Sequence, residues 1–413
     1  MAEAVVALNA GSSNLKFSVY PGGQSSDRAS EAAFMSGAVE VDGKRVRLRA
    51  TGSRGETLAD EALGGELDGD PSPSGCFSAQ TLTSLIHWIE ARLDDVRLVA
   101  AGHRIVHGGS RYVEPVRITP QILKDLEALT PFDPLHQPAS LAPVRVLAHE
   151  RPRIPQIACF DTSFHSGMPD VATRFALPRR YRDAGVRRYG FHGLSYAYIA
   201  QRLPQIAPDV AEGRVIVAHL GSGASLCAMR ERRSVETTMG FSSLDGLMMG
   251  TRTGLIDPGA LLYMLGTEQR SYEDLVDILY HQSGLLGVSG LSADMRALRA
   301  AQDCEPARQA LDLFAYRIVQ EIGALTATLG GLDALVFTAG VGEHDVELRQ
   351  DVCQALNWLG VKLDDAANRA GRGVITTSDS RVRVLVEPTD EDVMILRAVR
   401  DRLRDGDPVG ADH

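Results

Sequence analysis

Asn9, Ser12 and Lys16 lie close together in the stretch VVALNAGSSNLKFSVY (5–20). An apolar run ends at Asn9, small residues follow, and alternation resumes with Leu15, Phe17 and Val19. That pattern predicts strand, tight turn, strand. A turn of Gly and Ser leaves N–H groups and hydroxyls open at close range, which suits a phosphate; a plain polar hairpin tip has the same composition. The stretch VIVAHLGSGASLCAMR (215–230) aligns on the first without gaps, so that Asn9 falls on His219, Gly11 on Gly221 and Ser12 on Ser222. Two arginines sit beside glycine, Arg104 in GHR and Arg252 in GTRTG. Each offers a planar fork to carboxylate or phosphate oxygens; a surface ion pair is the plain alternative. Asp161, in FDT, and Glu391, in PTDED, are carboxylates of the kind Mg²⁺ takes together with phosphate oxygens.

The elements that must position these groups follow from periodicity. TLTSLIHWIEARL (81–93) places Leu82, Leu85, Ile86, Ile89 and Leu93 on one helical face. VRLVAAGHRIVHGG (96–109) reads as a buried strand running into a Gly loop. PQILKDLEALT (120–130) reads as a helix with proline at its start, and another begins at LHQPASLAPVRVLAHE (135–150). PQIACFDTSFH (155–165) is a strand ending in polar residues, where α/β folds place chemistry. Residues 22–75 read as short strands and loops away from the chemistry. In the second half, RQALDLFAYRIVQEIGALTATL (308–329) is a long amphipathic helix, and LDALVFTAGVGEH (332–344) echoes 96–109 as a strand entering a Gly loop. Internal duplication of an α/β unit is the economical reading. Two related lobes would form a cleft between them.

The 413 residues are enough for two domains, and 44% hydrophobic with 23% charged content is ordinary for a globular protein. A net charge of −10 argues against a nucleic-acid partner. No apolar run is long enough to span a bilayer, and the chain enters a strand at once without a signal core. The expected location is the cytoplasm, without membrane partners. Cys76, Cys159, Cys227, Cys304 and Cys353 are scattered and odd in number, which argues against a disulfide framework or zinc site. No Walker P-loop or protein-kinase glycine loop is present.

NAGSSNLK (9–16), GHRIVHGG (102–109), PLHQP (134–138), FDTSFH (160–165), RYGFHG (188–193), AHLGSGAS (218–225), DGLMMGTRTG (245–254), FTAGVGEH (337–344) and PTDED (388–392) occur in an order that resembles the acetate kinases, within the acetate/propionate/butyrate kinase family. The resemblance runs from residue 5 to about residue 400. It implies a duplicated actin-like (ribonuclease H-like) two-domain α/β fold with an interdomain cleft. Residues 1–160 would form an N-terminal domain completed by a helix at 392–405. Residues 161–391 would carry nucleotide binding and dimerisation, and 406–413 would be a disordered tail. The implied reaction is reversible transfer of the γ-phosphoryl group of ATP to acetate, giving acetyl phosphate and ADP, by a homodimer. Phosphoryl transfer needs in-line positioning and spread positive charge more than covalent help.

By the same resemblance, Arg104, Asp161, His192 and Arg252 are catalytic, with His136 near the substrate. Val106, Leu135, Phe191 and Ser243 line the acetate methyl pocket, beside Arg104. Asn9, Ser12, Lys16, His219, Gly221 and Gly223 meet the phosphates. Asp294 and Arg296 of SADMR border the ribose and base, and Gly340, Val341, Gly342 and His344 approach the nucleotide. Asn9 and Glu391 are the groups on the side of the metal, Mg²⁺ or Mn²⁺. Asn14, Ser222, His344, Gln137, Leu255 and Ser243 depart from the family's usual residues. Ser243, where proline is usual, makes the acyl pocket more polar or roomier, and one methylene discriminates by only ~1–3 kcal/mol. Propionate kinase is therefore the rival within the family; an actin-fold phosphatase or ATPase and a silent nucleotide binder are the rivals outside it.

Overall fold

The computed structural model describes residues 2–11, 14–23, 31–42, 45–63, 77–93 and 95–404. Ser12, Cys76 and the expected tail lie outside the described residues. Two compact units divide the chain, one from the described residues of 1–163 and 390–413, the other Phe164–Thr389. These joints fall a few residues from those expected, so that Asp161 and Glu391 both belong to the first unit.

The first unit contains β1 (Ala2–Ala10), β2 (Asn14–Pro21), β3 (Met35–Asp42), β4 (Arg45–Gly52), β5 (Thr57–Ala62), β6 (Val96–Ile105), β7 (Val116–Arg117) and β8 (Gln156–Phe160). They form one sheet in the order β5-β4-β3-β2-β1-β6-β8-β7. β1 and β2 are the expected hairpin, with Asn9 opposite Lys16 and Ala10 opposite Leu15. The helix Ala79–Glu90 starts at a Ser78 cap and buries Leu82, Leu85, Ile86 and Ile89, as its spacing predicts, against Val6, Leu8 and Leu15 of the sheet. The last helix, Glu391–Arg404, packs on β1, β6 and β8. It comes so close that a Cβ on Gly102 of β6 would lie 2.3 Å from Ile395, so this strand position accepts only glycine without a shift.

The second unit holds β9 (Arg214–Leu220), β10 (Ala224–Arg230), β11 (Arg233–Thr237), β12 (Ala334–Thr338), β13 (Gly373–Val374) and β14 (Arg383–Val386), in the order β11-β10-β9-β12-β14-β13. β9 pairs antiparallel with β10 and parallel with β12, as β1 does with β2 and β6. Strand by strand, β11-β10-β9-β12-β14 repeats β3-β2-β1-β6-β8, and each array ends in a two-residue antiparallel strand. The fold is the expected duplicated actin-like one. The helices Gly193–Ile206 and Glu305–Leu329 pack on this second sheet.

One local reading changes. GVGE does not form a loop after β12: the helix Ala339–His344 begins at once. The turn is made by Ala339 at φ 65°, a left-handed conformation rare outside glycine. Tertiary packing around β12 overrides the glycine signal that suggested a loop.

Candidate functional site

Each unit carries its own cluster of polar groups. In the first, Arg104 is the penultimate residue of β6, and Asp161 follows the last residue of β8, its parallel neighbour. The ladder therefore brings the two side chains together. Arg104 Nε and Nη2 donate to Asp161 Oδ2 at 2.9 and 2.5 Å, and Nη1 donates to the Ala10 carbonyl at 3.3 Å and to Asn9 Oδ1 at 3.4 Å. Asn9 Nδ2 in turn donates to Glu391 Oε2 at 2.8 Å. Asn9 is thus a strut between the arginine and Glu391, its carbonyl oxygen turned to a guanidinium. Burial pushes Asp161 up to about 6 while Arg104 pulls it down. Burial opposes the charge on Arg104, but Asp161 and Glu391 outweigh it and hold the guanidinium above its ordinary range. The pair is ionised at neutral pH. Asp161 Oδ1 is buried without a hydrogen-bond partner. Lys16 is exposed on β2.

The loop after β6 is clamped by Gln137, one of the departures. Its Oε1 accepts from the His107 N–H at 3.1 Å, and its Nε2 donates to the carbonyls of His107 and Leu126 at 3.1 and 3.0 Å. Asp133, fully buried, accepts from the His136 N–H at 3.1 Å and lies 2.9 Å from its Nδ1. Val106 is buried and Leu135 half-buried in this unit, whereas Phe191 and Ser243 are buried in the other.

In the second unit, His192 caps the helix Gly193–Ile206 in a left-handed conformation, φ 59°. His165 Nε2 lies 2.9 Å from the preceding carbonyl, that of Phe191, and His165 Nδ1 lies 2.8 Å from Ser234 Oγ. Burial lowers the pKa of His165 to about 4, so the ring is neutral and donates to that carbonyl. His192 and His219, the latter on β9, stack with ring centroids 4.1 Å apart. Arg252 Nη1 donates to the Ser243 carbonyl at 2.6 Å. Position 243 thus holds the arginine through its backbone, a role that serine and proline fill alike. At the β9–β10 turn, a Cβ on Gly223 would stand 3.1 Å from Arg252 Nη2 and 3.3 Å from His192 Nε2. Both nitrogens therefore approach one small space that glycine leaves open.

A cavity of about 750 Å³ adjoins this turn. Gly221, Asp294, Arg296, Gly340, Val341 and His344, separate in sequence, all line it, and so does Ser222. Asp294 also caps the helix Met295–Ala300 and pairs with Arg296 at 2.9 Å. His344 Nδ1 lies 2.9 Å from the Gly340 carbonyl. His219, Gly223 and the buried Gly342 are not in this wall.

Sequence reasoning missed several supports. Arg299, on the cavity wall, pairs with Asp345 at 3.1 Å and Glu347 at 3.2 Å. Arg349 is fully buried and donates to the carbonyls of Gly342, Glu343 and Asn368 at 2.9, 2.7 and 2.8 Å, fixing the end of the helix Ala339–His344. Ser195 and Ser225 each contact one stacked histidine. Ser225 was within reach of the repeat alignment, since it faces His219 across the hairpin; nothing local marks Arg349.

Arginine and imidazole nitrogens beside a glycine turn, with an open cavity next to it, on a duplicated actin-like fold, are the features of a phosphotransferase. The model of the Acetokinase family matches residues 4–397. An acetate kinase of Rhodopseudomonas palustris (strain ATCC BAA-98 / CGA009) is 49% identical over 409 residues, covering 98% of this chain and all of that one. The crystal structure of Porphyromonas gingivalis acetate kinase, 34% identical, matches with a TM-score of 0.81 over 97% of this chain and 100% of that one. A propionate kinase structure from Francisella tularensis, 30% identical, matches at 0.84 over 96% and 98%. The chain belongs to the acetokinase family, and its activity is that of an ATP:acetate phosphotransferase.

Proposed function

We propose that the transfer is direct and in line. Acetate is ionised at neutral pH and attacks without a general base. Arg104, oriented by Asp161, would hold the acetate carboxylate and the incoming phosphoryl oxygens. Arg252 Nη2 and His192 Nε2 would donate to the oxygens of the moving group at the space beside Gly223. Their convergence on that one point is the observation that carries the reading. Val106, Leu135, Phe191 and Ser243 would bound the acetate methyl. The cavity lined by Gly221, Asp294, Arg296, Gly340, Val341 and His344 would take the nucleoside, with Gly342 behind it. Asn9, Ser12, Lys16, His219 and Gly223 would lie along the phosphates.

Among the described residues, no three His, Cys, Asp or Glu side chains form a dedicated metal cage. Mg²⁺ arriving with the nucleotide needs only one or two carboxylates, with phosphate oxygens and water completing its shell. Glu391, braced by Asn9, and Asp161, whose buried Oδ1 lacks a partner, fit that demand. The ion, or Mn²⁺ in its place, would neutralise charge on the phosphates.

No described helix is long and apolar enough to cross a membrane, and the cytoplasm, where ATP is held, suits this activity. The helix Pro258–Gly266 buries none of its residues and exposes Leu262, Tyr263 and Leu265, with Leu255 and Tyr272 exposed nearby in sequence. An apolar surface of this kind supports a homodimer. Light scattering should give twice the chain mass, and Leu262→Glu with Tyr263→Glu should halve it.

The activity test is acyl phosphate trapping with hydroxylamine, using Mg-ATP and acetate, propionate or butyrate in parallel. Acetate should give the highest kcat/KM. Phosphate release that is indifferent to any carboxylate would point instead to a hydrolase.

A further inference from the structure

The stacked histidines of the second unit spend their Nδ1 atoms on serines. His192 Nδ1 lies 2.8 Å from Ser225 Oγ, and His219 Nδ1 lies 2.8 Å from Ser195 Oγ. Among the described residues, only the first serine has a further hydrogen-bond partner of this kind: the Tyr196 hydroxyl is 2.5 Å from Ser225 Oγ. Tyr196, Ser225, Ser195, His192 and His219 are all buried. Tyr196 follows His192 by one helical turn, and Ser225 reaches both from β10.

A buried phenol must donate its proton to something. Among the described residues, Ser225 Oγ is the hydrogen-bond partner of the Tyr196 hydroxyl. Burial raises Tyr196 well above its ordinary pKa, so the proton stays in place. With Tyr196 donating, the Ser225 hydroxyl has its own hydrogen left to give, and His192 Nδ1 is the acceptor in reach. An Nδ1 that accepts leaves the ring proton on Nε2, the nitrogen at the open space beside Gly223 and Arg252. An accepting Nδ1 also means an uncharged ring, which adds no second positive charge beside Arg252.

We infer that Tyr196 is a positioning residue which, through Ser225, holds His192 as the neutral Nε2–H tautomer, so that a donor and not a lone pair meets the phosphoryl oxygen. The role of that donor rests on the phosphoryl-transfer reading above; the tautomer does not. Ser195 gives His219 no such directional chain, because among the described residues no third side chain bonds its hydroxyl.

Two measurements test this. Nitrogen-15 NMR of the full-length protein labelled at histidine, assigned by His192→Asn and His219→Asn, should show His192 protonated at Nε2 and bare at Nδ1. A proton on Nδ1 overturns the inference, whether or not the protein makes acyl phosphate. Kinetics then test the chain. Ser225→Ala should lower kcat by about 10-fold or more with KM for ATP little changed, and Tyr196→Phe should lower it less. In the Ser225→Ala background, Tyr196→Phe should cost nothing further, because its route to His192 is already cut. Equal losses from Tyr196→Phe in both backgrounds would reduce Tyr196 to a packing residue. Absence of acyl phosphate from the wild type would sink the kinase mechanism and leave the tautomer to be decided by NMR.

Discussion

Gly223→Ala should remove catalysis without removing the fold. The added Cβ would sit 3.1 Å from Arg252 Nη2 and 3.3 Å from His192 Nε2, where ordinary contact begins at 3.4 Å. Each nitrogen must retreat by a few tenths of an ångström, which flexible side-chain ends can do. The fold should tolerate this, because Gly223 does not use the left-handed region. Alanine there even restricts the unfolded chain, by about 0.4–1 kcal/mol. Catalysis has no such latitude. A point about 3 Å from both donors is within the N–H···O distance range, so the methyl takes the place of the oxygen that both would bind. Losing one preorganised donor to developing negative charge costs about 10²–10³ in kcat, and this change compromises two. The expected loss is at least about 100-fold in kcat, read by hydroxamate trapping, with Tm shifted by no more than about 3 °C. A variant that keeps kcat within about threefold would show that the two nitrogens do not serve the moving phosphoryl group.

Other changes separate the parts. Gly340 lines the cavity, and a Cβ there meets nothing within 4 Å; Gly340→Ala should hold or raise stability by up to about 1 kcal/mol and raise KM for ATP several-fold, and an unchanged KM would remove Gly340 from the nucleotide wall. Gln137→Leu abandons one N–H and two carbonyls near the His107 loop and should cost on the order of 3 kcal/mol in urea unfolding; a loss below about 1 kcal/mol would mean that water replaces the clamp. His165 is held near pKa 4, below its unfolded value of 6.5. Its share of stability is therefore full above pH 6.5 and lost as pH falls toward 4. His165→Gln should flatten the stability profile in that window by up to about 1.4 kcal/mol per pH unit. An equal wild-type-to-variant gap at pH 5 and pH 7 would contradict this.

The duplication was legible because both hairpins repeat the same residue grammar at the same spacing, and periodicity 2 survives any tertiary context. Arg104 meets Asp161 because β6 and β8 end side by side, a strand order that the structure supplies. What stayed hidden depends on partners far away in sequence. The left-handed turn at Ala339 contradicts local preference, and the end of its helix is held by Arg349, whose burial no neighbouring residue announces. Ser243 drew attention for its side chain, yet its carbonyl holds Arg252, and backbone atoms carry no sequence signal. The contacts of the Asn9 amide with Arg104 and Glu391 likewise join residues far apart in sequence.

The first unit closes with the last helix of the chain. Asn9 meets Glu391, and Ser18 donates to Asp392 at 2.6 Å, across gaps of 382 and 374 residues. During synthesis the N-terminal sheet must wait for nearly the whole polypeptide to leave the ribosome, while Phe164–Thr389 has its complete sequence earlier. Domains fold as their segments emerge. The later domain in sequence can thus mature first, leaving the early sheet's β1–β6 face open until the closing helix arrives. A nascent chain stalled before residue 390 would expose that apolar face to chaperones. It would also lack Glu391, so the carboxylate proposed for the metal is delivered by the same segment that seals the core.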